Sequence, residues 1–151
     1  MAGWTNKGKA NALAQRFRGV ALPVNFFIAL VTSAVAPVAD TNTFGELTQI
    51  ATGNGYADGG ISLTKNTTDF DVLTEDDGND RALVQLKDIV WTAAAGPIPA
   101  SGSGARWAVL TDDNGTIASR EVENFWDLVS DRTISDTQTL TLQDCELRLT
   151  E

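Results

Sequence analysis

The sequence predicts a mainly β, single-domain antiparallel β-sandwich, jelly-roll-like, with one α-helix at its N-terminal end. Three observations carry that prediction. Short apolar or alternating runs, roughly seven to nine of them, succeed one another from Pro23 to Thr150 between turns rich in Gly, Asp, Asn and Pro. Only Lys7–Gly19 (KGKANALAQRFRG) carries helical periodicity. The 151 residues, 42% hydrophobic and 21% charged, suit one domain with one sizeable core. Residues 1–22 read as a basic helix and arm, and 23–151 as the sandwich, without internal repeats.

Within the helix, Ala10, Leu13, Ala14 and Phe17 form one apolar stripe with lysines and arginines beside it. Thr5 or Asn6 can cap its start, and Gly19 can supply a left-handed stop. Gly8 weakens the first turn. Trp4, ahead of the cap, is either a staple onto the helix or a hook into a neighbour.

From Pro23 the signals are β. Val24–Thr32 is a nearly continuous apolar run, as in a strand covered on both faces. Phe44–Ile50 fits a short strand or a helical turn. Tyr56–Thr64 alternates weakly around Gly59–Gly60, where a bulge or a close backbone approach is expected. Asp76–Asp80 predicts a tight turn, and Arg81–Thr92 one strand with a phase slip fitting a bulge. Gly96–Gly104 (GPIPASGSG) is by composition the most mobile segment. Ala105–Thr111 and Thr116–Glu123 flank Asn114-Gly115, the preferred type I′ pair, and predict a tight hairpin. Phe125–Val129 gives another strand. Thr139–Thr150 alternates every second residue, with a polar turn near Gln143–Asp144.

The chemistry the chain lacks narrows its function. With no histidine and one cysteine, neither a Ser-His-Asp nor a Cys-His pair can be assembled, and no His-containing zinc site exists. Nothing singles out a carboxylate pair, and surface solvation accounts for most of the acids. Asp76–Asp80 reads as a polar turn sooner than as a Ca²⁺ loop, for it lacks EF-hand spacing and the terminal glutamate. Gly53–Asp58 fails the dinucleotide fingerprint, because Asp58 stands where the third glycine belongs. The expectation is no catalytic, cofactor-binding or metal-ligating residue. Cys145, alone in an alternating run, is expected to be a packed thiol. Trp91, Trp107 and Trp126 lie in strand patterns and are assigned to packing before carbohydrate stacking.

A formal charge of −9 argues against nonspecific nucleic-acid binding. The charge is segregated: Lys7, Lys9, Arg16 and Arg18 precede Asp40 with no acid among them, whereas 20 acids and seven cations follow. A basic end on an acidic body suggests docking onto an acidic partner, the plain alternative being a solvated helix face. No apolar run approaches the ~20 residues needed to cross a bilayer. No secretory signal is evident, and a soluble, cytosolically made protein is expected.

The order of these blocks resembles a family of small tailed-bacteriophage virion structural proteins, labelled tail-fibre or head-decoration proteins. Asn11–Gly19 (NALAQRFRG) is similar to the family's opening helix and Pro23–Thr32 (PVNFFIALVT) to its first long strand. Phe44–Leu63 resembles its Gly/Tyr segment, Ile89–Ala93 and Trp107–Leu110 its central strands, and Thr133–Leu149 its closing pair. The resemblance implies a non-enzymatic protein that cements the outer capsid surface. Its partners would be the major capsid protein and further copies of itself, as a dimer or trimer at a symmetry axis, without nucleic acid, membrane or cofactor. A tail component is the first alternative and a carbohydrate-binding host-recognition module the second. The residues expected to touch the partner are Trp4, Lys7, Lys9, Arg16 and Arg18. Removing residues 1–9 is expected to leave a folded protein that no longer binds capsids.

Overall fold

The computed structural model describes residues 2–150. The fold is mainly β with antiparallel sheets, and its one α-helix among the described residues lies near the N-terminus. The strands are β1 (Ala2–Trp4), β2 (Asn25–Val31), β3 (Ile61–Thr64), β4 (Val72–Asp76) and β5 (Arg81–Gln85). They continue with β6 (Ile89–Thr92), β7 (Ala105–Thr111), β8 (Val122–Arg132), β9 (Thr139–Leu142) and β10 (Glu146–Thr150). The helix α1 spans Asn6–Phe17. Five strands make one sheet in the order β1-β8-β7-β2-β3, three make a second, β10-β5-β4, and β6 pairs with β9.

The apolar run of β2 is covered on both faces, as its composition demands. Ile28 and Leu30 point into the main core with Leu63, Ala108, Leu110 and Trp126 of the same sheet. The smaller sheets supply Ile89, Trp91, Leu142 and Leu147 to that core, and the link between β5 and β6 adds Leu86. On the opposite face, Ala29 and Val31 join Val109, Val122 and Phe125 beneath Phe44 and Leu47. Phe44 opens a single 3-10 turn (Phe44–Glu46), which resolves the ambiguity of Phe44–Ile50.

Backbone proximity explains two glycine-rich features. Asn54 and Gly55 both take positive φ (53° and 100°) between Gly53 and Tyr56, whose amides and carbonyls bond reciprocally at 2.9 and 3.0 Å. The turn aims the Tyr56 hydroxyl at β2, where it accepts from the Leu30 N–H at 2.9 Å. At Gly60, a Cβ would fall 2.0 Å from the Ile28 carbonyl oxygen, so the expected close approach is real and only glycine fits.

Three expectations need correcting. Asn114-Gly115 does not form the tight hairpin: β7 and β8 are partners, but residues 112–121 separate them and include a 3-10 turn, Ile117–Ser119. Neither Asn114 nor Gly115 has the positive φ a type I′ turn requires. The reason lies in competing bonds. Asp112 Oδ1 accepts from Asn114 and Glu121, while Phe44 donates to the Arg120 carbonyl and Val122 to that of Asn42. Arg81–Thr92 is two strands in different sheets, its phase slip marking where the chain crosses between them. Finally, the middle of Gly96–Gly104 is anchored, because Ile98 is buried and exchanges two backbone bonds with Ile134 (3.0 and 2.9 Å).

Other readings hold. Asp77–Asn79 forms the β4–β5 turn, β9 and β10 are joined across Gln143–Cys145, and Cys145 is packed in the main core. Burial pushes its thiol up to about 11, so the thiolate is scarce at neutral pH.

Candidate partner-binding face

Thr5 starts α1. Its hydroxyl oxygen accepts from the Gly8 N–H at 2.9 Å while its own proton goes to the Val122 carbonyl of β8. Arg18 and Gly19 end the helix, Gly19 at φ +67°. The bonds to β8 decide which side of α1 faces the body. Gly8 lies flat against Glu123, and Asn11 donates to Glu121 Oε2 and Glu123 Oε1, both at 2.8 Å. Lys7 completes the dock with an ion pair to Glu121 at 2.8 Å.

These contacts set the local electrostatics. Burial pushes the Glu123 carboxyl up to about 7, against the opposing bond from Asn11. Burial also works against ionisation of Glu121, yet the bonds from Lys7 and Asn11 bring its pKa below the usual carboxylate value. The bond to Glu121 raises the pKa of Lys7.

The docked side of α1 is therefore small and polar, and its apolar stripe faces outward. Leu13 is 60% and Phe17 75% exposed. Lys9 and Arg16 share this outer side by their i, i+4 and i, i+3 spacing to Leu13, and Arg18 follows at its end, all three exposed. Periodicity had found the stripe, but the side it turns to the body is chosen by Gly8 and Asn11. Beyond Gly19 the chain forms no regular element and leaves Val20, Leu22 and Val24 exposed, until Asp113 Oδ2 captures the Val24 N–H at 2.7 Å. One N-terminal stretch thus carries a run of large apolar groups in water, flanked by unpaired cations.

Of the five residues expected to touch a partner, the structure leaves Lys9, Arg16 and Arg18 free for that role and gives two internal work. Trp4 belongs to β1, paired with Asn124, and its indole N–H donates to the Arg148 carbonyl at 2.9 Å. Lys7 is held by Glu121. Trp4, Lys9 and Arg148 line a cleft of about 730 Å³ between β1 and β10, with Trp126 and Asn124 also on its wall. Residues 2–8 are consequently not a detachable arm: truncation through residue 9 would remove a strand, a helix cap and the Gly8 contact.

Sequence reasoning missed Arg120. It is 8% exposed, lies 3.7 Å over the Phe27 ring, and donates to the carbonyls of Gly59 (3.1 Å) and Asn114 (3.2 Å). Nothing in its local pattern distinguishes it, because its partners come from three separate segments. In the Asp76–Asp80 turn, Asp76 accepts from Asn79 and pairs with Arg81 at 2.7 Å. No group of three or more His, Cys, Asp or Glu side chains among the described residues is placed to hold a metal ion. No family model, curated protein or solved structure matches the chain.

Proposed function

We propose that this chain is a phage virion structural protein that decorates the outer capsid surface and bridges neighbouring capsomers, without enzymatic activity. The observation that carries the reading is the outward stripe of α1, where Leu13 and Phe17 stand in solvent between Lys9, Arg16 and Arg18 on an otherwise acidic chain. A soluble domain ordinarily turns such a stripe inward. Here the helix is fixed by its opposite side, so the stripe is held ready for an acidic surface, the shell or an adjacent copy. Individual contacts of this kind are weak, and many symmetric copies multiply them.

The test is to add purified protein to undecorated capsids and count bound copies. Saturation at hundreds of copies per particle supports decoration, whereas roughly three to twelve would point to a tail component of the same architecture. Lys9→Glu/Arg16→Glu/Arg18→Glu should lose occupancy while remaining folded. Absence of binding by the unaltered protein, or unchanged occupancy of the triple variant, would sink the proposal.

A further inference from the structure

The chain carries a second unpartnered apolar surface, and its charge is opposite to that of α1. In the three-stranded sheet the register aligns Glu75 with Ala82 and Ala82 with Leu149, a single cross-strand row. The next row on the same face is Leu73, Val84 and Leu147. Leu147 is buried in the main core and Val84 packs against it. The core-facing side of this sheet therefore runs past the end of the core, leaving Leu149 58% and Leu73 82% exposed. Around the overhang lies an open groove of about 680 Å³, lined by Glu75, Asp77, Asp80, Arg81, Ala82 and Leu149. Arg81 is already held by Asp76, so the groove presents three acids around an apolar floor.

We propose that the Leu13/Phe17 stripe of α1 on one copy docks into this groove on a second copy. The inference rests on the reading of that stripe as the assembly face, and it names the occupant. The two surfaces are complementary in each respect that decides docking. The helix offers two large apolar side chains one turn apart, and the groove an alanine and leucine floor at the end of a sheet. The helix brings Lys9, Arg16 and Arg18; the groove brings Glu75, Asp77 and Asp80. Pairing two helices would set like charges together, and pairing two grooves would do the same, so complementarity selects helix-in-groove contact. A copy that donates its helix keeps its own groove open, and the contact can be returned across a two-fold axis or propagated around a ring.

The experiment is sedimentation of the full chain, free of capsids, as a function of protein and salt concentration. The unaltered protein should associate at about 0.05 M NaCl and weaken markedly at about 0.5 M, since exposed charges are screened within a Debye length. Lys9→Glu/Arg16→Glu/Arg18→Glu and, separately, Glu75→Lys/Asp77→Lys should each dissociate at least about tenfold more readily. All five positions are exposed, and far-UV circular dichroism checks that both variants fold. An equimolar mixture should regain association, because the acidic helix of one then meets the basic groove of the other. A monomeric unaltered protein, variants that associate as it does, or a mixture that stays monomeric would each overturn the pairing. The two proposals fail separately. Capsid binding through the α1 stripe by a monomer defeats the pairing alone, and self-association without capsid binding defeats the virion reading alone.

Discussion

Gly8 and Glu123 approach so closely that a methyl group on the Gly8 Cα would lie 2.2 Å from the Glu123 carbonyl oxygen. The contact reverses the ordinary value of a glycine in a helix. Gly8→Ala should gain about 1 kcal/mol of helix propensity. It should nevertheless destabilise the protein by about 2 kcal/mol, because the added carbon forces α1 off β8. Thermal unfolding gives the sign, and hydrogen exchange gives the place: α1 amides should lose protection while Ile28–Val31 keep theirs. A stabilised variant would refute the docked geometry.

Glu123 makes this dock sensitive to pH. Glu123 is 4% exposed, and burial pushes its carboxyl up to about 7 in the fold, against 4.5 ordinarily. Between those values the folded chain holds a proton that the unfolded chain releases, so Glu123 makes stability fall as pH rises through the window and level off above it. Glu123→Gln keeps an acceptor for Asn11 and removes the ionisation. It should flatten that slope and add about 2 kcal/mol at pH 8. Asp127, held down to about 2 chiefly by the bond from Arg106, and Asp69, held low chiefly by Lys87, act oppositely. Their contributions disappear as pH falls toward their folded values. Denaturant titrations at pH 5 and pH 8 check the difference, and equal slopes for the variant and its parent would contradict it.

Arg120 joins three segments that share no sequence neighbourhood. Its guanidinium covers Phe27 of β2 while bonding the Gly59 and Asn114 carbonyls. Burial lowers its pKa, and Asp112, Asp58 and Asp113 counter that effect, so the charge has company without a direct ion pair. Arg120→Lys keeps the charge but not the planar fork or the stacking, and should cost about 2 kcal/mol. Urea unfolding with an unchanged m-value is the measurement. A loss under about 0.5 kcal/mol would show the clamp to be idle.

What the sequence made legible follows from how far each signal reaches. The two-sided burial of β2, the Thr5 cap, the Gly19 stop and the Gly60 approach are encoded in residues that sit beside their consequences. The Asn114-Gly115 turn failed because Asp112 is joined in competing for the loop by Asn42 and Phe44, which are distant in the chain. The same dipeptide chemistry operates at Asn54-Gly55, where the bonds of Asn54 with Ala94 and Pro97 leave the reciprocal Gly53–Tyr56 pair intact. For α1, 3,4 spacing located the apolar stripe but carried no information about its environment. That was settled by a glycine and an asparagine meeting two glutamates more than a hundred residues later. The acidic groove was invisible for a similar reason: Glu75 and Leu149 become neighbours of Ala82 only through strand register.

The pairing of β1 with Asn124–Trp126 also has a consequence in time. During synthesis the first helix leaves the ribosome long before the strand that receives it exists. The contacts of Thr5, Gly8 and Asn11 with Glu121, Val122 and Glu123 cannot form until those residues emerge, so this segment is seated late. Its cationic, oily side is therefore oriented only on chains that have completed most of their fold. An incomplete chain displays the same residues without the geometry that the seated helix gives them.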